Sequence, residues 1–198
     1  MKLHWSPRSP FVRKVMIAAH ELGVAGRIDT VRTVVGMEQI NQALLVDNPL
    51  NKIPTLVLDD GQVIYDSLTI CEYFCDLAGG TIFGTGAARW EVLTRHSMAN
   101  SFLDALILFR SERARPAAQQ SAGLLAAFAT KTTSMLNHVA APPPGRADIG
   151  DITLAVALAY LDFRFPDIAW RDDRDGLAEW HAGFSARPSM IATIAADG

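Results

Sequence analysis

Three short stretches of this sequence carry residue types whose chemistry depends on where the backbone places them. Ser9 closes the loop Ser6-Pro7-Arg8-Ser9 and precedes Pro10, a residue favoured at the first position of a helix. Its side chain then stands at a helix N-terminus, where unpaired N–H groups and the helix dipole favour negative charge. A hydroxyl in that place can donate to a bound thiol and stabilise the thiolate. A free thiol has a pKa of about 8.5, and each unit of depression represents ~1.4 kcal/mol of preference for the anion. A serine before a helix also serves simply as its N-cap, and position alone does not separate the two roles.

The second stretch is Asn51-Lys52-Ile53-Pro54-Thr55. Proline at the entry to a strand that must pair suits either a cis bond or a free edge. A cis Ile53-Pro54 bond turns the Ile53 N–H and C=O outward, where they can pair with an extended peptide as an added strand. An ordinary trans proline opening a strand is the alternative. The third stretch is Tyr65-Asp66-Ser67. The Ser67 N–H and hydroxyl can hold a carboxylate at a helix terminus, while Asp66 can pair with an ammonium. Asp66 is equally suited to capping the helix and nothing more.

The elements that must position these residues are legible around them. Lys2 to Trp5 is a strand candidate. Pro10 to Leu22 follows with Phe11, Val15, Ala18, Ala19 and Leu22 on one helical stripe, ended by Gly23. The β-branched segment Ile28 to Val35 predicts a second strand, parallel to the first. Thr55 to Leu58 and Gln62 to Tyr65 flank Asp59-Asp60-Gly61, a strong hairpin signal. Asp66 then opens a helix with Ile70, Cys71, Phe74, Leu77 and Ala78 on one face. The order β-α-β, an irregular stretch, then β-β-α is the thioredoxin arrangement, so the expected fold class is α+β in the first part.

Beyond it no strand pattern occurs. Residues 80–86, rich in glycine, read as a linker between a first domain of residues 1–79 and an all-helical domain of residues 87–198. Ala87 to Arg115 and Ala117 to Ala140 read as long helices parted by Pro116, and the second stops before Pro142-Pro143-Pro144. Asp148-Ile149-Gly150-Asp151 has an N-cap with an acid three residues later, ahead of the apolar run Ile152 to Phe163. Asp175 to Ala186 and Pro188 to Ala196 read as shorter helices.

Composition bounds what such a chain does. It has 198 residues, 49% hydrophobic and 20% charged, with a net charge of −3, which is globular and gives no electrostatic footprint for nucleic acid or an anionic membrane. The longest apolar run, Leu154 to Leu161, is far short of a bilayer span. The start lacks a signal-peptide core. Cys71 and Cys75, one helical turn apart, are too widely spaced for a relaxed disulfide, and the five histidines show no metal-ligand spacing. A reduced, cytoplasmic protein without a metal is the expectation.

Taken together, a thiol-stabilising hydroxyl, a peptide-backbone clamp and an amino-acid clamp on one such sheet describe a site for the peptide γ-Glu-Cys-Gly. Here the chain resembles the cytosolic glutathione S-transferases, in their bacterial serine-containing branch. The resemblance rests on Ser6 to Lys14 with His20-Glu21-Leu22-Gly23, on Asn48 to Leu56, and on Asp66-Ser67. It extends to Arg115 to Ser121, to the acid-capped start at Asp148, and to Arg187-Pro188-Ser189.

The resemblance implies a thioredoxin-like domain followed by a helical one, in a homodimer, with glutathione as cosubstrate and no metal. It assigns glutathione contacts to Ser9, Phe11, Lys52, Ile53, Pro54, Asp66 and Ser67, with Ser9 activating the sulfur. It implies attack on a small hydrophobic electrophile, by conjugation or peroxide reduction. Phe102, Leu106, Phe109, Arg110 and Arg113 of the first long helix are candidates to line the electrophile pocket, or else pack the bundle. Where relatives often carry an acid that reaches a partner's glutathione, this sequence has Asn100, with Asp104 one turn on. The competing reading is a non-catalytic interaction or regulatory protein that keeps the scaffold. Thiol–disulfide exchange is disfavoured, since Ser9 stands where an attacking cysteine would.

Overall fold

Leu3, with no exposed surface, anchors the first strand in the core of a computed structural model that describes residues 1–197. Strand β1 (Lys2–Trp5) leads into helix α1 (Pro10–Glu21), which crosses over to the parallel edge strand β2 (Asp29–Arg32). Strand β3 (Thr55–Val57) runs antiparallel to β1, with His4 opposite Thr55, and β4 (Val63–Ile64) antiparallel to β3, with Leu56 opposite Ile64. The sheet order is β2-β1-β3-β4. These registers bring three chain junctions to one end of the sheet: the exit of β1, the entry to β3 and the exit of β4.

The stretch read from sequence as irregular contains a short helix, α2 (Gln42–Asp47), capped by the Asn41 side chain, which accepts from the Leu44 N–H at 3.1 Å. Only Leu44 of its six residues is buried, so the segment has no periodicity to read. Asp47 fastens it to the sheet, accepting from Lys2 Nζ and pairing with His4 Nε2, each at 2.8 Å. Strand β2 is half its expected length, and all four residues are exposed, as befits an edge.

Helix α3 (Ser67–Ala78) ends at Gly79, whose φ of 62° is the left-handed cap that glycine adopts at least cost. Helices α4 (Ala88–Arg113), α5 (Ala122–His138), α6 (Ile149–Arg164), α7 (Asp175–Ser185) and α8 (Pro188–Ile191) follow, with no further strand among the described residues. The fold is thus a thioredoxin-like βαβ-ββα unit followed by helices. Helix α5 starts later than expected because Ser121 caps it, leaving a 3₁₀ turn at Ala117–Gln119. Helix α8 stops at Ile191, five residues short of the expected end.

Helix α6 is buried on nearly every side. Its N-terminus is a complete capping box: the Asp151 N–H donates to Asp148 Oδ1 at 3.0 Å and the Asp148 N–H to Asp151 Oδ2 at 3.4 Å. Arg95 of α4 donates to Asp151 Oδ1 at 2.7 Å and to Asp148 Oδ2 at 2.6 Å, and Arg146 Nε to Asp151 Oδ2 at 2.7 Å. Gly150 allows this approach, since a Cβ there would lie 3.0 Å from Arg95. At the opposite ends of the sequence, Glu21 at the end of α1 accepts two hydrogen bonds from Arg187, at 2.9 and 2.6 Å. This ties α1 to α8.

Replacing Asp151, which is fully buried, with Ala removes one of the two capping-box acceptors and leaves Asp148 alone to face both Arg95 and Arg146. The expected loss is roughly 3–5 kcal/mol, the scale for breaking a buried ion pair. Urea unfolding of Asp151→Ala checks it, and a loss under about 1 kcal/mol contradicts the account.

Candidate active site

The Ser6–Ser9 loop leaves β1 at the sheet end where the three junctions meet. Ser9 caps α1, its Oγ accepting from the Val12 N–H at 3.3 Å, and Pro10 fills the first helical turn. Accepting one bond leaves the hydroxyl its proton to donate elsewhere. Across the ladder, Ile53-Pro54 is a cis peptide bond. Ile53 lies beyond the last β1–β3 pair, His4 with Thr55, so its backbone groups stand outside the ladder.

Asparagine side chains build this turn. Asn48 Nδ2 donates to the Lys52 carbonyl at 3.2 Å and to Thr55 Oγ1 at 2.9 Å. Asn51, at φ 53°, accepts from the Asn41 N–H and donates to the Gln39 carbonyl, each at 2.9 Å. Lys52 itself is exposed. At the third junction the Tyr65-Asp66 bond is also cis, and Asp66 caps α3 by accepting from the Leu68 N–H at 2.9 Å. Ser67, the first helical residue, is buried. Two helix N-termini and one turn with backbone groups outside the ladder therefore share one edge of the sheet, which is an arrangement suited to an anionic, peptide-like ligand.

Beneath this edge lies a group that motif reading passed over. Lys14 of α1 is fully buried. Its Nζ donates to Asn100 Oδ1 of α4 at 2.8 Å and lies 3.2 Å from His96 Nε2, with the Phe11 ring centroid 5.7 Å away. Asn100 Nδ2 in turn reaches Asp104 Oδ2 at 3.5 Å. Burial pushes the Lys14 ammonium below its ordinary pKa, while the negative field of Asp66 and Asp104 works the other way. Desolvation raises the Asp104 carboxyl, against the pull of Lys52 and Lys14. Asn100 is thus engaged within its own chain. A lysine inside an apolar helical stripe is the signal that could have found the group. Cys71 packs nearby, its thiol pushed up to about 12 by burial, so it is an unreactive thiol at neutral pH.

The α4 residues expected around an electrophile do not form one pocket. Phe102 and Leu106 are buried in the bundle core, 5% and 0% exposed. Phe109 stacks on Phe128 of α5 and on Phe165, at 5.8 and 5.2 Å between ring centroids. Arg113 lies over Phe109 and Phe165 and donates to Asp167 at 2.9 Å. Phe109 and Arg113 line a groove of ≈ 570 Å³ against α5. The reason is spacing: residues 102, 106 and 109 fall on the stripe that α5 and α6 cover. Arg110 alone turns elsewhere, to the hydroxyl of Tyr160 on α6, which Arg164 also approaches. Burial raises the Tyr160 hydroxyl pKa, and the two guanidiniums oppose that rise.

Two segments of the chain match family models, residues 8–77 the glutathione S-transferase N-terminal domain and residues 133–183 its C-terminal domain. A crystal structure of a glutathione transferase family member from Pseudomonas fluorescens Pf-5, with bound glutathione, is 39% identical, covers 97% of each chain and superposes with a TM-score of 0.93. The chain belongs to the glutathione S-transferase family. A further crystal structure of a Pseudomonas fluorescens Pf-5 family member, with bound S-(propanoic acid)-glutathione, is 37% identical over 99% of this chain and 100% of that one, at a TM-score of 0.89. The GST-like protein YibF of Escherichia coli K12, described as uncharacterized, is 29% identical over 98% of both chains. As in the sequence reading, the family's N-terminal model spans the Ser9, Ile53-Pro54 and Asp66-Ser67 stretches. Among the described residues no helix is long and apolar enough to cross a membrane, and no group of three or more His, Cys, Asp or Glu side chains is arranged to hold a metal.

The Lys14 contact makes His96 a measurable reporter. Burial, with the Lys14 charge adding to it, holds the His96 imidazole at a pKa of about 4, against 6.5 when exposed. Between those values the unfolded chain binds a proton that the folded protein excludes, so stability rises with pH through the window and is lost as pH falls. The effect is on the order of 2–3 kcal/mol. Expected are a His96 ring resonance that does not titrate above pH 5, and a flatter acid limb of stability in His96→Gln. Titration of His96 near pH 6.5 contradicts this.

Proposed function

We propose that the protein is a glutathione transferase of the serine-containing type, which binds glutathione along the sheet edge and directs its thiolate at a hydrophobic electrophile. The observation that carries this reading is the meeting of Ser9, the Ile53-Pro54 turn and Asp66-Ser67 at one end of the sheet, each at a backbone position that selects a different part of one peptide. Crystal structures of a relative with glutathione and with an S-conjugate of glutathione bound support it.

In this reading the Ile53 N–H and C=O pair with the cysteinyl backbone, and Pro54 sets their direction. Asp66 takes the γ-glutamyl ammonium while the Ser67 N–H and hydroxyl take its carboxylate. Lys52 reaches the glycyl carboxylate, and Phe11 packs beside the entry of α1. The sulfur lies at the N-terminus of α1, where the Ser9 hydroxyl donates to it and the helix dipole favours its anion. The thiolate attacks the electrophile, a C–S bond forms, the leaving group departs with its electron pair, and the thiol proton goes to solvent. A homodimer is proposed from the family membership. The setting proposed is cytoplasmic.

Calorimetric titration with glutathione is the first test, and a wild-type protein that does not bind it overturns the reading. Ser9→Ala is expected to keep glutathione affinity nearly unchanged, to raise the pKa of the bound thiol, and to lower turnover by ~10²–10³, the scale of losing one oxyanion donor. Equal thiolate titrations followed by ultraviolet absorbance, with equal turnover, reduce Ser9 to a cap.

Asp66→Ala is expected to weaken glutathione binding by at least ~1.5 kcal/mol, the scale of a charge-assisted hydrogen bond, and to cost ~1 kcal/mol of stability as a lost cap. Unchanged affinity with lowered stability leaves only the cap.

A further inference from the structure

Beside the Ser9 loop, on the helical side, Arg110 of the expected pocket stands among further cationic groups. The segment after α8 returns over the loop, and the Ala196 N–H donates to the Pro7 carbonyl at 3.4 Å. That places Asp197 against Arg164, 2.7 Å from its Nη2, and against Arg8, 3.8 Å from its Nε. The Arg110 charge adds to the positive field at the Asp197 carboxylate, after those of Arg164 and Arg8. Arg110 and Arg164 both approach the hydroxyl of Tyr160. Two guanidiniums, from the Ser9 loop and α6, thus pair with one carboxylate, while Arg110 of α4 adds its field there and approaches the Tyr160 phenol beside Arg164.

We propose that Arg8, Arg110 and Arg164, with Tyr160, form a subsite for a carboxylate carried by the electrophile, and that Asp197 fills it when no such substrate is bound. The inference rests on the glutathione transferase reading above and names the substrate class of that same site.

Three observations support it. Arg164 is largely buried, its side chain 11% exposed, and its buried Nε has no hydrogen-bond partner, so donor capacity remains beside the carboxylate already held. A buried guanidinium is retained at a cost unless an anion faces it, and a planar fork matches carboxylate geometry. Asp197 is itself 62% exposed. The carboxylate side of the pair is therefore open to water, where an incoming carboxylate can exchange with it. Arg8 is covalently next to Ser9, which keeps the bound carboxylate and the attacking sulfur in one small region. An electrophile with a carboxylate a few bonds from its reacting carbon fits both.

The test compares two thioether conjugates, S-benzylglutathione and S-(4-carboxybenzyl)glutathione, which differ only in the carboxylate, with glutathione itself titrated alongside. Calorimetry is expected to show the carboxylated conjugate binding about tenfold or more tightly than the uncharged one in the wild type. In Arg110→Gln and Arg164→Gln that ratio is expected to fall below about threefold, and in Asp197→Asn to widen by about threefold as the internal competitor is removed. Arg110 is exposed, so its variant keeps the test decisive if the Arg164 variant fails to fold. Normal glutathione binding with equal affinity for the two conjugates overturns the subsite and leaves the transferase reading standing. Arginine variants that leave the ratio unchanged overturn it also. Failure of glutathione and both conjugates to bind overturns both.

Discussion

A lysine buried without exposed surface between two halves of a fold constrains everything packed around it. Lys14 sits on α1, the helix that crosses the sheet, packs on α3 and α6 and reaches α8 through Glu21 and Arg187. An ammonium in that place costs several kcal/mol unless it is hydrogen-bonded and faces negative potential. Asn100 supplies the acceptor, neutral His96 a second, and Asp66 and Asp104 the field. The consequence is geometric. Helix α4 must present residues 96 and 100 to α1 on consecutive turns, which fixes its rotation. That rotation then decides which α4 residues face the Ser9 loop and which face α5.

The same requirement explains how a site arises from ordinary capping. Ser9 and Asp66 are the N-caps of α1 and α3, and each spends an acceptor on its own helix. Capping does not compete with binding, because a serine hydroxyl that accepts from an N–H keeps its donor, and a carboxylate has lone pairs to spare. The antiparallel registers around β3 bring both caps and the Ile53-Pro54 turn to one edge. Asn48 and Asn51 then hold that turn through side-chain contacts rather than through a ladder.

Much of this was legible from residue order alone. Pro10 after Ser9, Asp60-Gly61 between apolar runs and the Asp148–Asp151 pair each signal a local structure whose physics lies within four residues of chain. What escaped was non-local or too short to be periodic. Helix α2 buries only Leu44 and depends on Asp47 reaching Lys2 and His4 from far along the chain. The expected β2 lost half its length because, at an edge, β-branched residues 33–35 have no second neighbour to pair with. Lys14 reads as one basic residue of Arg13-Lys14 unless its place on the apolar stripe of α1 is weighed, and its partners come from α4, more than eighty residues away.

The α4 pocket shows the limit of spacing as a guide to function. Arg110 and Arg113 are three residues apart and so lie on neighbouring parts of the helix surface. Yet Arg113 is stacked on the Phe109 and Phe165 rings at 5.5 and 5.3 Å and pinned by Asp167, whereas Arg110 turns to Tyr160 and Asp197. Arg113 already has a carboxylate and two aromatic faces, partners that hold a guanidinium flat and in place. Arg110 has a phenol and an exposed carboxylate that it shares with two other arginines. A guanidinium beside an exposed carboxylate near the Ser9 loop keeps donor capacity that a stacked and bridged one has already committed. Partner saturation, rather than position along the helix, distinguishes the two arginines.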